Sequence, residues 1–195
     1  MKQVTLVSIF VLAVAASAPA FSQGYVGLAG GASRIEQGCA TGQSCDKNDG
    51  AIKVYGGYSL GNDFSAELSY YSLGTFKNST TAGGAVASDS VKGSYWGLGG
   101  AWRPQFGNGW GGVGRLGAAD TEGKTSAGSF GSQTYDSWHP YAGLGVTYEI
   151  AKNIRLEADY DYTRLGAKFT DPTTGTATKS TNGVSTYMLG ATYAF

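Results

Sequence analysis

Ile154-Arg155-Leu156-Glu157-Ala158-Asp159-Tyr160-Asp161-Tyr162 is the stretch whose reading decides the fold. Ile154, Leu156, Ala158, Tyr160 and Tyr162 fall on one parity, and Arg155, Glu157, Asp159 and Asp161 on the other. Wound as a helix, the segment would scatter its charges around the circumference. Extended as a strand, it has one apolar wall and one ionic wall. A soluble barrel with an apolar inside would turn the ionic wall to water. A membrane barrel turns the apolar wall to lipid and the ionic wall to its lumen.

The same period of two recurs along the chain. At the C-terminus Tyr187, Leu189, Ala191, Tyr193 and Phe195 alternate with Thr186, Met188, Gly190, Thr192 and Ala194. Upstream, Ile52, Val54, Tyr58 and Leu60 oppose Lys53, Tyr55 and Ser59, while Phe64, Ala66, Leu68 and Tyr70 oppose Ser65, Glu67 and Ser69. Trp96, Leu98 and Trp102 oppose Tyr95, Gly97, Gly99 and Arg103, and Trp110, Leu116 and Ala118 oppose Val113 and Arg115. Trp138, Ala142, Leu144, Val146, Tyr148 and Ile150 oppose His139, Tyr141, Thr147 and Glu149. A first strand around Tyr25 to Ser33 is blurred by glycine.

The connections sort by length. Long polar segments at 34–50, 77–90, 120–136 and 166–183 alternate with short ones at Gly61–Asp63, Gln105–Gly109 and Ala151–Asn153. Outer-membrane barrels have this asymmetry, with tight periplasmic turns and extended outer loops. Runs of about 9–13 residues cross a bilayer when tilted by ~45°. The expectation is an all-β fold, an eight-stranded antiparallel up-and-down transmembrane β-barrel, whose lumen side chains just fill.

Composition agrees. The chain has 32 glycines, 13 tyrosines, only 4 prolines and 14% charged residues, the reverse of a disordered composition. Mean hydropathy is −0.16, as expected where every second position dilutes the apolar ones. Residues 1–20 read as a cleaved signal peptide, with Lys2, an apolar run from Val4 to Ala16, and Ala18-Pro19-Ala20 before the cut. That leaves 21–195 as one outer-membrane barrel domain. A formal net charge of zero gives no basic face for nucleic acid.

Lys53-Val54-Tyr55-Gly56-Gly57-Tyr58, then Asn62-Asp63-Phe64 and Glu67 through Tyr71-Ser72-Leu73-Gly74, resemble the second and third strands of the OmpA-type transmembrane domain and its small OmpX-like relatives. Arg155-Leu156-Glu157 through Tyr160-Asp161-Tyr162 is similar to that family's penultimate strand, and the resemblance covers residues 21–195. Tyr193-Ala194-Phe195 looks like the C-terminal signal read by the barrel-assembly machinery, which makes Tyr193 and Phe195 the expected assembly signal. The family's full-length members continue into a peptidoglycan-binding domain; the chain stops at the barrel, so cell-wall tethering is not carried over.

Each candidate for chemistry stands beside a structural reading. Cys39 and Cys45, the only cysteines, suit a loop disulfide in an exported chain, since two thiols without a nearby histidine make an incomplete metal site. Gly112 to Gly117 matches G-x-G-x-x-G, but with no helix after it to bind pyrophosphate the match is coincidental. His139 is the only histidine. Outer-membrane lipid A deacylases carry a serine two residues after theirs, where this chain has Tyr141, and Ser137 lies on the wrong side. On the lumen parity, Lys53, Glu67, Arg115, Glu149, Arg155, Glu157, Asp159 and Asp161 are expected to form an ion-pair network plugging the barrel.

The expected function is non-enzymatic: a structural or surface-interaction role in envelope integrity, adhesion or host contact through outer loops, with no catalytic residue, cofactor or metal. A small low-conductance pore is the alternative, followed by a lipid-modifying enzyme. Expected partners are outer-membrane lipid and lipopolysaccharide, the assembly machinery and periplasmic chaperones, and an extracellular loop ligand. The chain is expected to be a monomer in the cell outer membrane of a Gram-negative bacterium, with both termini periplasmic.

Overall fold

The computed structural model describes residues 23–36, 43–45, 47–82, 85–127, 132–170 and 177–195. Among these are β1 (Gly24–Ile35), β2 (Gln43–Cys45), β3 (Asn48–Gly61), β4 (Phe64–Ala82) and β5 (Ala85–Trp102). They continue with β6 (Gln105–Gly107), β7 (Trp110–Ala127), β8 (Ser132–Ala151), β9 (Ile154–Thr170) and β10 (Ala177–Ala194). Eight of these make the wall, in the order β1-β3-β4-β5-β7-β8-β9-β10, each antiparallel to its neighbours. The ring closes because β10 pairs with β1 from Tyr25–Ala194 to Ile35–Val184. Short β2 and β6 hang on β4 and β7. At the seam the Phe195 N–H donates to the Gly24 carbonyl at 3.0 Å.

One end of the barrel carries tight turns. Between β3 and β4, Asn62 and Asp63 both have positive φ (51° and 65°), the backbone of a hairpin turn whose twist matches its strands. The other end differs from the sequence expectation. The polar segments at 77–90, 120–136 and 166–183 are largely strand: β4 and β5 stay paired to Ala82–Ala85, β7 and β8 to Ser126–Ser132, and β9 and β10 to Thr170–Ala177. The wall strands are therefore 12 to 20 residues long, longer than the runs of alternation. Backbone pairing does not depend on an apolar period, so the ladders continue after that period has stopped.

Sidedness is that of a membrane barrel. Leu189 is 72% exposed, Leu116 71% and Leu144 69%, on a continuous outer band, whereas Lys53, Arg115, Glu67 and Asp161 are buried inside. Aromatic pairs mark both rims of that band: Trp110–Tyr148 at the turn end, Tyr70–Trp96 and Tyr160–Tyr187 toward the arms. A bulge between Ser72 and Thr75 shifts β4 by one residue, turning Leu73 and then Phe76 inward. Gly74 takes φ 76° there, and the Asp49 carboxylate accepts the displaced Thr75 N–H.

Candidate functional site

The charged cluster lies in the turn-side half of the lumen. β3 contributes Lys53, β4 Glu67, β7 Arg115, and β9 the alternate residues Glu157, Asp159 and Asp161. The residue just after β5, Arg103, completes it. Arg115 donates from Nε to Glu67 Oε1 at 2.7 Å and from its two terminal nitrogens to Asp159 Oδ1 at 3.1 Å and to Glu157. Arg103 bridges the same two glutamates from the turn side, at 3.1 Å to Glu67 and 2.9 Å to Glu157. Two arginines and two glutamates thus form a closed square.

Lys53 joins the aspartates to the square, with Nζ 3.0 Å from Asp159 and 3.1 Å from Asp161. Hydroxyls take up further lone pairs: Tyr25 donates to Glu67 at 2.8 Å, Tyr71 to Asp161 at 2.9 Å and Thr192 to Glu157 at 3.3 Å. Tyr71 stacks on Tyr95 at 4.1 Å between centroids, and the Arg103 guanidinium sits 4.4 Å from the centre of the Tyr25 ring. Buried ions tolerate such a site only when paired and hydrogen-bonded on nearly every side. Two atoms of the ion network fall short. Arg103 Nε and Asp161 Oδ1 have no hydrogen-bond partner among the described residues, the latter 4.0 Å from Arg115.

Not every expected member is there. Among the described residues, Glu149 and Arg155 pair only with each other, 3.6 Å apart, with side chains 37% and 33% exposed. They occupy the last rungs before the Ala151–Ile154 turn, where the lumen meets solvent. Arg103 lies on the inward parity beside Trp102 in the sequence, yet it is not in the expected network; the structure adds it to the cluster.

Toward the arms the lumen changes character. Ile35, Leu73, Phe76, Leu165 and Val184 are all buried in one apolar cluster with Val91 against it. The β8–β9 ladder stops at Ala142–Tyr162 although both strands continue. Pro140 has no N–H to extend it, and the Thr163 hydroxyl donates to the Pro140 carbonyl at 3.2 Å. Beyond that point β9 leans over the mouth. A Cβ on Gly123 would lie 2.6 Å from the Gly166 carbonyl oxygen, so β7 receives this backbone only because it has glycine there.

The other candidates are placed as follows. His139 Nε2 is 2.9 Å from Ser137 Oγ, whose backbone carbonyl accepts from Thr121; among the described residues no carboxylate bonds to the imidazole. Gly112 to Gly117 lies inside β7. Cys39 lies outside the described residues, and Cys45 is the last residue of β2. Tyr193 faces outward, its ring 6.2 Å from that of Phe195.

The family model for the outer membrane protein beta-barrel domain matches residues 4–195. A search of curated proteins gives no match. Among solved structures, the chain is similar to Neisserial surface protein A (TM-score 0.63, 14% identity), covering 88% of this chain and 97% of that one. It is also similar to Ail, the attachment invasion locus protein of Yersinia pestis (TM-score 0.56, 20% identity, 89% and 98% covered). OprG of Pseudomonas aeruginosa aligns with TM-score 0.59 and 17% identity over 89% and 96% of the two chains. At these identities the likeness concerns the fold.

Proposed function

Because the chain belongs to the outer-membrane β-barrel family, we propose that it is a closed, non-enzymatic anchor of the outer membrane that displays its long hairpin arms at the cell surface for structural or adhesive contact. The observation that carries this reading is the double filling of the lumen. A bonded square of arginines and glutamates occupies one half, and an apolar cluster the other. The lumen's charges are engaged with one another, which leaves recognition to the arms.

The contrast of short turns with long hairpin arms sets the orientation, with turns and both ends of the barrel chain on the periplasmic side and the arms outside. Residues 1–20 act as the export signal, Tyr193 and Phe195 as the assembly signal, and Cys39 and Cys45 as a loop disulfide. Lipopolysaccharide surrounds the barrel, which works as a monomer.

Single-channel recording tests the reading. The refolded chain in planar bilayers is expected to give no discrete conductance steps at neutral pH. Regular steps would overturn it in favour of a narrow pore.

A further inference from the structure

The arm of β8 has an open edge. β8 stays paired to β7 up to Ser126–Ser132, but its ladder with β9 ends at Ala142–Tyr162. The direction of its peptide groups follows from individual bonds. The Glu149 N–H donates to the Gly109 carbonyl at the foot of β7, and the Ser137 carbonyl accepts from Thr121 of β7, so odd-numbered residues of β8 turn toward β7. The Pro140 carbonyl accepts from Thr163 of β9, so even-numbered residues turn away from it. The pairing of β7 with β8 has no register shift, and the alternation holds along the strand. Ser132, Thr134, Asp136 and Trp138 therefore carry their N–H and C=O groups on the edge away from β7. Among the described residues no strand pairs with that edge.

β9 does not cover it. A Cβ on Gly166 of β9 would lie 2.6 Å from Ser137 Oγ and 2.9 Å from the Tyr135 ring, both on the inward parity, so β9 passes on the lumen side of β8. Sheet edges are commonly blunted by lysine, proline or a bulge. Pro140 stands at the foot of this edge, and Thr134 to Trp138 contain neither lysine nor proline.

The outer face beside the edge is acidic. Asp136 is directly opposite Glu122 of β7, and Trp138 is directly opposite Asp120. Glu122 pairs with Lys124 at 2.9 Å, whereas Asp120 and Asp136 have no ion-pair partner among the described residues. Like charges directly opposite weaken a ladder, and a cation on the next strand relieves them. Trp138, 67% exposed, adds an aromatic surface on which a guanidinium or ammonium can rest.

We propose that the β8 edge takes up an extended basic segment of a partner protein as an added strand, with Lys or Arg at alternate positions beside Asp136 and Trp138. Backbone bonds to Thr134, Asp136 and Trp138 supply the pairing, and the carboxylates select the charge. The inference rests on the orientation proposed above, which puts the arms outside the cell, and it names the kind of contact they make.

Fluorescence anisotropy on the refolded chain in nanodiscs gives the test. The probes are a labelled peptide of alternating Thr and Lys, one of alternating Thr and Glu, and the basic peptide with its amides N-methylated. The first should bind about tenfold more tightly than either of the others. Thr134→Pro removes one N–H from the open edge and leaves the β7 ladder whole, so it should weaken the basic peptide about tenfold. Asp120→Asn/Asp136→Asn should weaken it about fivefold. Both variants should keep the heat-modifiable gel migration of a closed barrel. Equal binding of the N-methylated peptide, or unchanged affinity in Thr134→Pro, would overturn the inference in favour of charge alone. Cross-linking of two chains through Trp138→Cys without peptide would overturn it in favour of a second copy. A closed, non-conducting barrel that binds none of the peptides would sink the inference and leave the proposed function standing. A chain that binds the basic peptide yet gives regular conductance steps would do the reverse.

Discussion

The two halves of the lumen are filled by opposite chemistry. On the turn side, Arg103, Arg115, Glu67 and Glu157 interlock, with Arg103–Glu67, Arg103–Glu157 and Arg115–Glu67 at 2.7 to 3.1 Å, and Lys53 ties in the two aspartates. On the arm side, Ile35, Leu73, Phe76, Leu165 and Val184 pack with no charge among them. The turn-side half is backed by continuous ladders all round. The arm-side half is not, because β8 and β9 part company at Ala142–Tyr162. One half is held by directional bonds that fix geometry. The other is held by contacts that adapt when atoms are removed.

Breaking the charged half should have the largest effect. Arg115 contacts three carboxylates, so Arg115→Met leaves Glu67, Glu157 and Asp159 buried with too few partners. The expected loss is about 3–5 kcal/mol, read from urea titrations in lipid vesicles. A loss below about 1 kcal/mol would mean that water enters this half and screens it. Leu165→Ala probes the apolar half. Removing a buried leucine costs about 2–5 kcal/mol, and the low end is expected because the unladdered arm relaxes into the space. A loss larger than that of Arg115→Met would reverse the comparison.

The smallest effect belongs to the pair assigned to the network from sequence but found at its edge. Glu149→Gln or Arg155→Gln should cost less than about 1 kcal/mol in the same titration, as for other solvent-exposed pairs. A cost comparable to that of Arg115→Met would place them back in the network. Deleting Phe195 asks a different question. The seam bond from its N–H to Gly24 predicts a sharp drop in inserted protein in cells, against near-normal insertion after substitutions within 171–176.

These contrasts follow what sequence could and could not reveal. Period two identifies the face of a strand, and Lys53, Glu67, Arg115, Glu157, Asp159 and Asp161 were assigned inward on that basis. It does not identify depth. Glu149 and Arg155 have the same parity, yet they lie at the mouth because the turn follows within two residues. Arg103 shows the converse: it shares the inward parity, and its depth in the lumen, which parity does not give, is what brings it into the network. The arms were hidden for another reason. The segments at 77–90 and 120–136 carry no apolar alternation and so read as loops, while their hydrogen-bond ladders continue.

Ala118 and Ala119 are adjacent residues on the lipid face and the lumen face of the wall. With Cys39 and Cys45 replaced by serine, Ala118→Cys and Ala119→Cys can be offered a membrane-soluble and a charged, water-soluble maleimide in intact proteoliposomes. With a closed lumen, Ala118→Cys reacts with the membrane-soluble reagent alone and Ala119→Cys reacts with neither. Rapid labelling of Ala119→Cys by the charged reagent would contradict it.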